Sequence, residues 1–266
     1  MFKISIVTSL YKSDLNSVKR CFESLFSDPF FKYCELIIVD DTNNPQDVIS
    51  YIQDLLFHHN NICIIKNITN IGLTKSLNLA IKSAKSELIT RIDFDDYLHE
   101  NRLETTFNYF INNKNCVLTF TSYILVVNKS KKFILSSARK IIFRMMFTNP
   151  IVHSTVTFRK NIKSELILYN ERYKTSQDFE LWSRLINLGD FFCFENLYSI
   201  KREILLTGIS LSKKSFLQAF NSLLIRINIL KYNNLYYLFP LVLFSFFYQM
   251  FSTVRLFLQI KILGTK

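Results

Sequence analysis

Glycine and proline are scarce in this chain, four of each among 266 residues. That scarcity excludes collagen-like and loop-rich designs, and no internal period marks a solenoid or propeller. Cysteine is also sparse. Cys21, Cys34, Cys63, Cys116 and Cys193 are odd in number, widely spaced and form no CxxC pair. A zinc site or disulfide framework is therefore not expected, and a reducing cytoplasm fits. The opening stretch MFKISIVTSLYKSD meets charge by Lys12 and has no small-residue cleavage site, so it reads as a strand rather than a signal peptide. Acidic residues are outnumbered 21 to 33 by basic ones, giving a formal net charge of +12. Such an excess suits nucleic acid, an anionic membrane surface or phosphorylated substrates. Lys and Arg are scattered, with no basic and aromatic module, so nucleic acid is not an expected partner.

Apolar residues, by contrast, are abundant. They make up 49% of the chain, with 15% aromatic, enough for one substantial core plus a tail and too many for disorder. In the first half, short apolar runs alternate with helical patterns. The runs are Ile4–Val7, Glu35–Val39, Ile62–Ile65 and Leu88–Ile92. Between them, Asp14 can cap a helix carrying Leu15, Val18, Phe22 and Leu25 on one face. Pro45 opens a helix to Phe57, Leu73–Ala84 forms a third, and Glu100–Ile111 a fourth. Strands alternating with helices predict right-handed βαβ units, hence an α/β fold with a mostly parallel sheet flanked by helices. Ligands of such sheets bind beyond the carboxyl ends of the strands, where Tyr11, Asp40, Asp41, Asn70, Asp93 and Asp95 fall. Further on, Val117–Val127 reads as paired strands, Ile151–Phe158 as another strand, and Gln177–Leu188 as a helix with Phe179, Trp182, Leu185 and Ile186 facing a core.

The main chemical signal is Asp93-Phe94-Asp95 after Ile89-Thr90-Arg91-Ile92. Diphosphate oxygens attract Mg²⁺ or Mn²⁺, and strand-end carboxylates can bridge such an ion. If the strand continues, Asp93 and Asp95 point to the same side; a solvated acidic loop capping the next helix is the duller alternative. Asp40-Asp41 could accept a uracil imide hydrogen and hold ribose hydroxyls, or could form an Asx turn into the Pro45 helix. Lys75, in the helix that Gly72 opens, could face a phosphate. Asp178, in the first turn of the helix in Gln177–Trp182, could take a proton from an acceptor hydroxyl or only compensate a helix dipole. Glu180 is its nearest rival, turned roughly 200° around the helix. His153 sits in an apolar strand pattern, where a hydrogen-bonded core histidine is the common case.

Taken together and in order, these segments resemble the family 2 glycosyltransferases, whose fold is of the GT-A type. The matching stretches are SIVTSLYKSD, ELIIVDDTNN, NITNIGLTKSLNLAIKSAKSELITRIDFDD, ENRLE, NPIVHSTVTFRK and QDFELWSRL, covering roughly residues 4–190. The resemblance implies that Tyr11 and Asp40 hold the base, with Asp41 nearby. It implies that Arg91 and Asp93 contact ribose and phosphate, that Asp95 ligates the metal, and that Asp178 is the catalytic base. His153 would line the sugar and acceptor region, for which Trp182 is a further candidate. Two departures stand out. Ser9 and Lys12 replace the usual proline and asparagine, and Leu205 occupies the histidine position of the later Arg-x-His-x-x-Ser-x-Ser pattern.

After about Ser212 the composition changes. Lys213, Lys214, Arg226 and Lys231 punctuate an apolar helical pattern, and Tyr232–Val254 carries no charge, although Pro240 interrupts it. The tyrosines resemble interfacial anchors, and an in-plane amphipathic tail is expected over a membrane span. A helical hairpin against the catalytic domain or a second subunit, giving a homodimer, is the alternative. The expected organisation is a catalytic domain over 1–211, divided into a nucleotide-binding half (1–96) and an acceptor half (97–211), then a basic, apolar tail over 212–266. The expected function is inverting transfer of a hexosyl or N-acetylhexosaminyl group from a nucleotide-diphosphate donor, a UDP-sugar first, with Mn²⁺ or Mg²⁺. The acceptor would be a glycan or a lipid-linked sugar in lipopolysaccharide or capsule assembly, at the inner face of the cytoplasmic membrane. A protein or soluble glycan acceptor is an alternative within the class. A nucleotidyltransferase would want a glycine-rich loop, and Thr8–Asp14 contains no glycine. A non-catalytic binding module would not need Asp93, Asp95 and Asp178 intact.

Overall fold

The computed structural model describes residues 1–98, 100–127, 130–134, 141–203 and 214–263. In chain order the elements are β1 (Ile4–Leu10), α1 (Leu15–Phe26), β2 (Cys34–Asp40), α2 (Gln46–His58), β3 (Ile62–Lys66), α3 (Leu73–Ser83), β4 (Leu88–Arg91) and β5 (Asp96–Leu98). There follow α4 (Arg102–Asn112), β6 (Cys116–Val127), β7 (Ser130–Ile134), α5 (Ile141–Met145), β8 (Thr157–Arg159), β9 (Asn161–Ile162) and β10 (Glu165–Leu166). The chain continues through α6 (Gln177–Leu185), β11 (Asp190–Glu203), α7 (Lys214–Tyr232) and α8 (Phe239–Leu263).

The main sheet runs β3-β2-β1-β4-β8-β6-β11-β5, with β7 paired to β6. The first four strands are mutually parallel. Strand β8 is antiparallel to β4 and β6, whereas β6 and β11 are parallel. Period-2 alternation divides the apolar side chains between the two faces. Ile4, Ile6, Leu36 and Ile38 point into one core with Val18, Phe22 and Ile52 from α1 and α2. Val7, Ile37 and Val39 point into the other, with Leu77 of α3 and Trp182 of α6. A sheet buried on both faces explains why these strands read as continuous hydrophobic runs.

The capping signals hold. Asp14 Oδ1 accepts from the Ser17 amide at 2.9 Å, and Val18, Phe22 and Leu25 are fully buried. Several second-half expectations need correction. Val117–Val127 lies within one twelve-residue strand, whose hairpin partner is the later β7. The expected Ile151–Phe158 strand is broken by a 3₁₀ turn at His153–Thr155, where the Thr155 hydroxyl donates to the Val152 carbonyl at 2.7 Å. Only Thr157–Arg159 then joins the sheet. Pro240 does not interrupt the last helix. It occupies the second position of α8, where a missing N–H costs nothing.

Helices α7 and α8 pack against the core that α6 and β8 share, with Ile225, Ile229, Leu230 and Val242 beside Phe158 and Trp182. The Ser245 hydroxyl also donates to the Phe147 carbonyl at 3.1 Å. The stretch Tyr236–Val254 is long and apolar enough to cross a membrane, and 11% of it is buried. The expected boundary at 211/212 falls outside the described residues.

Candidate active site

The site forms where β1 is flanked by β2 and β4, the point at which the strand order reverses. Register places Leu10 beside Asp40 and Val7 beside Arg91. The residues after these strands therefore share one rim.

Tyr11 is 45% exposed at the end of β1. Asp40 closes β2, and its Oδ1 accepts from the Thr42 amide at 3.1 Å and from Asn44 Nδ2 at 2.6 Å. The Asx turn is thus real, and both bonds fall on one oxygen of Asp40, which is 3% exposed. Asp41 has a structural task of its own. It is 1% exposed, and its oxygens accept from Asn67 Nδ2 at 2.8 Å, the Ile71 amide at 2.8 Å and the Gly72 amide at 2.9 Å. Its carboxylate holds the loop that starts α3. Gly72 has φ 87, a conformation that favours glycine. Lys75 follows in the first turn of α3, exposed.

Arg91 is 1% exposed, and its Nη1 donates to the Val7 carbonyl at 3.2 Å and the Thr8 hydroxyl at 3.3 Å. Its Nη2 pairs with Asp93 Oδ1. Asp93 Oδ2 accepts from the Ser154 hydroxyl at 2.7 Å. Strand β4 ends at Arg91, so Asp93 and Asp95 are brought together by a turn, closed by the Asp96 amide donating to the Asp93 carbonyl at 3.0 Å, and not by a continuing strand. Carboxylate oxygens of Asp93, Asp95 and Asp96 lie within 4.8 Å of one another. Oxygens around an octahedral ion with bonds of about 2.1 Å lie about 3–4 Å apart. Modest side-chain rotation would bring this set onto one hard cation, so the residues fit Mg²⁺ or Mn²⁺. Asp95 is exposed on the rim, whereas Asp96 is 2% exposed and close enough to act electrostatically on the buried Arg102. Asp93 and Asp95 are therefore the better placed pair.

Asp178 lies in the first turn of α6, whose preceding residue Ser176 has φ 60. Its Oδ2 accepts from Asn149 Nδ2 at 2.8 Å. Burial pushes its pKa above the usual carboxylate range; the Asn149 bond opposes that shift, and the charge of Asp93 adds to it. That coupling joins the metal-type cluster and the candidate base in one electrostatic site. Glu180 is occupied elsewhere, accepting from Arg184 Nε at 2.7 Å and Nη2 at 3.1 Å.

His153 stands in the 3₁₀ turn, its Nε2 2.7 Å from the Tyr169 hydroxyl. Its neighbour Ser154 donates to Asp93. Trp182 is fully buried, with His153, Phe158 and Tyr169 rings 6.0–6.5 Å away. It therefore backs the His153 turn and has no surface for a sugar. Asn149 and Ser154 escaped the sequence reading as site residues. Their signal was proximity in NPIVHST, where attention fell on the histidine. The Leu205 position lies outside the described residues.

The family model described as Glycosyl transferase family 2 matches residues 5–167. An uncharacterised glycosyltransferase of Methanocaldococcus jannaschii is 28% identical over 193 residues, covering 69% of this chain and 64% of its own length. The UDP-Glc:alpha-D-GlcNAc-diphosphoundecaprenol beta-1,3-glucosyltransferase WfaP of Escherichia coli is 24% identical over 190 residues, covering 70% of this chain and 71% of its own. This chain thus spans about two thirds of the length of these relatives. The crystal structure of S. aureus TarS 1-349 in complex with UDP-GlcNAc superposes with a TM-score of 0.70 at 18% identity, covering 86% of this chain and 67% of that one. That likeness shows the fold, a mostly parallel central sheet flanked by helices.

Proposed function

The chain belongs to glycosyl transferase family 2, and we propose that it transfers a sugar with inversion from a UDP-sugar donor to a lipid-linked or glycan acceptor. One observation carries this reading: three carboxylates converge within 4.8 Å beyond β4, electrostatically coupled to a half-buried carboxylate at the start of α6.

In this reading Tyr11 and Asp40 hold the base, and Arg91 orients Asp93. Lys75 presents a positive charge to the donor phosphates. A divalent cation at Asp93 and Asp95 would offset charge on the departing diphosphate. Asp178 takes the proton of the acceptor hydroxyl while that oxygen bonds to the anomeric carbon. The bond from that carbon to the diphosphate breaks, its electron pair leaving with the phosphate oxygen. A single displacement inverts the centre with no covalent enzyme intermediate. The raised pKa of Asp178 strengthens it as a base near neutral pH.

The relative WfaP supports a lipid-diphosphate acceptor, and the TarS complex supports a UDP-sugar, hexosyl or N-acetylhexosaminyl. The exposed aromatic face of α8 supports attachment to an anionic membrane at its inner, cytoplasmic side, consistent with lipopolysaccharide or capsule assembly. We assign residues 1–96 and 97–211 to donor and acceptor halves, and 212–266 to the membrane-facing tail. The test is hydrolysis of a panel of nucleotide sugars by purified protein. UDP-sugar turnover that requires Mn²⁺ or Mg²⁺ is expected, and turnover of no donor, or turnover indifferent to EDTA, would remove the reading.

A further inference from the structure

One basic residue of the tail is not at its surface. Arg226 of α7 is 1% exposed. Its Nε donates to the Met145 carbonyl at 3.1 Å and its Nη2 to the Phe147 carbonyl at 2.9 Å, and the guanidinium lies 5.8 Å from the Phe179 ring centroid. Nη1 has no acceptor among the described residues. No carboxylate pairs with it among them either, and burial alone lowers its pKa to about 10. At neutral pH the group is therefore a charged, enclosed donor, costly to keep unless an anion meets it.

Arg226 forms part of the wall of a cavity of about 350 Å³ between the start of α6, α7 and α8. Asp178 stands in the same wall, with the neutral hydrogen-bonding side chains of Asn149, Gln218, Ser222 and Gln249. Its volume falls within the range of about 300–1,000 Å³ typical of small-ligand sites.

We propose that this cavity is the acceptor site and that Arg226 holds a phosphate-ester oxygen of the acceptor while its sugar hydroxyl lies at Asp178. The proposal rests on the transferase reading above and adds to it the place of a phosphate-linked acceptor and the residue that holds its phosphate. A planar guanidinium matches phosphate geometry, and buried surroundings strengthen that attraction. Among the described residues Asp178 is the only acid lining the cavity, so the remainder of the described wall does not repel an anion. Beside it, Phe244, Phe247 and Phe251 of α8 are 64–68% exposed, an apolar track for a chain attached to the phosphate.

The test begins with protein saturated with UDP and Mg²⁺, so that the donor site is filled. Octyl phosphate, octyl glucoside and phosphatidylglycerol vesicles are then titrated separately by calorimetry. Octyl phosphate should bind, and octyl glucoside should bind far more weakly. Arg226→Gln should weaken octyl phosphate about 10- to 100-fold, the range of one lost charge-assisted hydrogen bond. Gln218→Glu, at an exposed position, adds a repelling charge without disturbing the core and should weaken it several-fold. Unchanged octyl phosphate affinity in both variants overturns the proposal. Vesicle binding that depends on Arg226, without octyl phosphate binding, also overturns it, and makes the cavity a headgroup site. If wild type binds no UDP and hydrolyses no donor, the transferase reading falls and the acceptor role with it. Normal UDP binding with no octyl phosphate binding removes the acceptor role alone.

Discussion

Residues 1–96 and the remainder of the chain solve the same problem, placing a carboxylate on the rim of a sheet, by different means. In the first part, local sequence suffices. Each apolar run becomes a strand, each strand ends at its polar residues, and parallel register sets Asp40 beside Leu10, next to Tyr11, and Arg91 beside Val7. In the second part the placement is non-local. Asp178 reaches the site because Ser176 turns α6 inward, because Asn149, 29 residues earlier, donates to its carboxylate, and because α7 and α8 close the wall behind it. The geometry around Asp40 and Arg91 is thus encoded in short segments, and that around Asp178 in contacts between distant ones.

The comparison is most easily broken at Asp178. Asp178→Asn keeps shape and loses basicity, so transfer should fall by about 10²–10⁴-fold while UDP affinity stays near wild type. Steady-state transfer with calorimetry on the same protein checks this, with Glu180→Gln as the control. If Glu180→Gln is the inactive variant, the base is misassigned, although the Glu180–Arg184 pair argues against that.

On the donor side the largest effect on stability should come from Asp41. Asp41→Ala leaves the Ile71 and Gly72 amides without their acceptor and Asn67 Nδ2 with Ser76 Oγ alone, at a cost of about 2–4 kcal/mol. Urea unfolding measures it; a loss under 1 kcal/mol would mean that the loop holds itself. On the acceptor side, a Cβ at Gly189 would lie 2.5 Å from Val117 Cγ1 and 2.8 Å from the Asn115 carbonyl. Gly189→Ala should therefore destabilise by about 1–3 kcal/mol through overpacking, and unchanged unfolding would show that β6 and β11 can part.

The smallest effect is one of pH. The folded pKa of Asp178 is raised, so its proton is bound more tightly in the native state. Its contribution to stability is present at low pH and is lost as pH rises through its unfolded pKa towards the folded one. Activity runs the other way and should rise with pH as Asp178 ionises, with an acid limb above the usual carboxylate range. Asn149→Ala removes a bond that lowers this pKa, so the limb should move further up. A kcat/KM profile that is flat through the acid range would contradict the assignment.

The same division decided how much could be read from residue order. The Asp14 cap, the four parallel strands and the Asp93-Phe94-Asp95 cluster follow from patterns within a dozen residues, and were legible. His153 was misplaced because apolar flanks read as a strand, whereas Thr155 bonds back to Val152 and forces a turn. Trp182 was half read. Its helical spacing gave its burial, and only the packed structure shows that burial leaves it no face for a sugar. The structural task of Asp41 was not legible, because its three amide partners come from residues 67–72. Arg226 resembles the other basic residues of the tail in sequence, since no sequence pattern reports that Met145 and Phe147 carbonyls wait 79–81 residues away.

The central claim, that a cation at Asp93 and Asp95 holds the donor diphosphate, is tested most directly by calorimetry of UDP binding in Mn²⁺ and in EDTA. Wild type should bind UDP more tightly in Mn²⁺, and Asp95→Asn should erase that difference while leaving the weaker EDTA affinity in place. A Mn²⁺-dependent UDP affinity that survives Asp95→Asn unchanged would contradict the account.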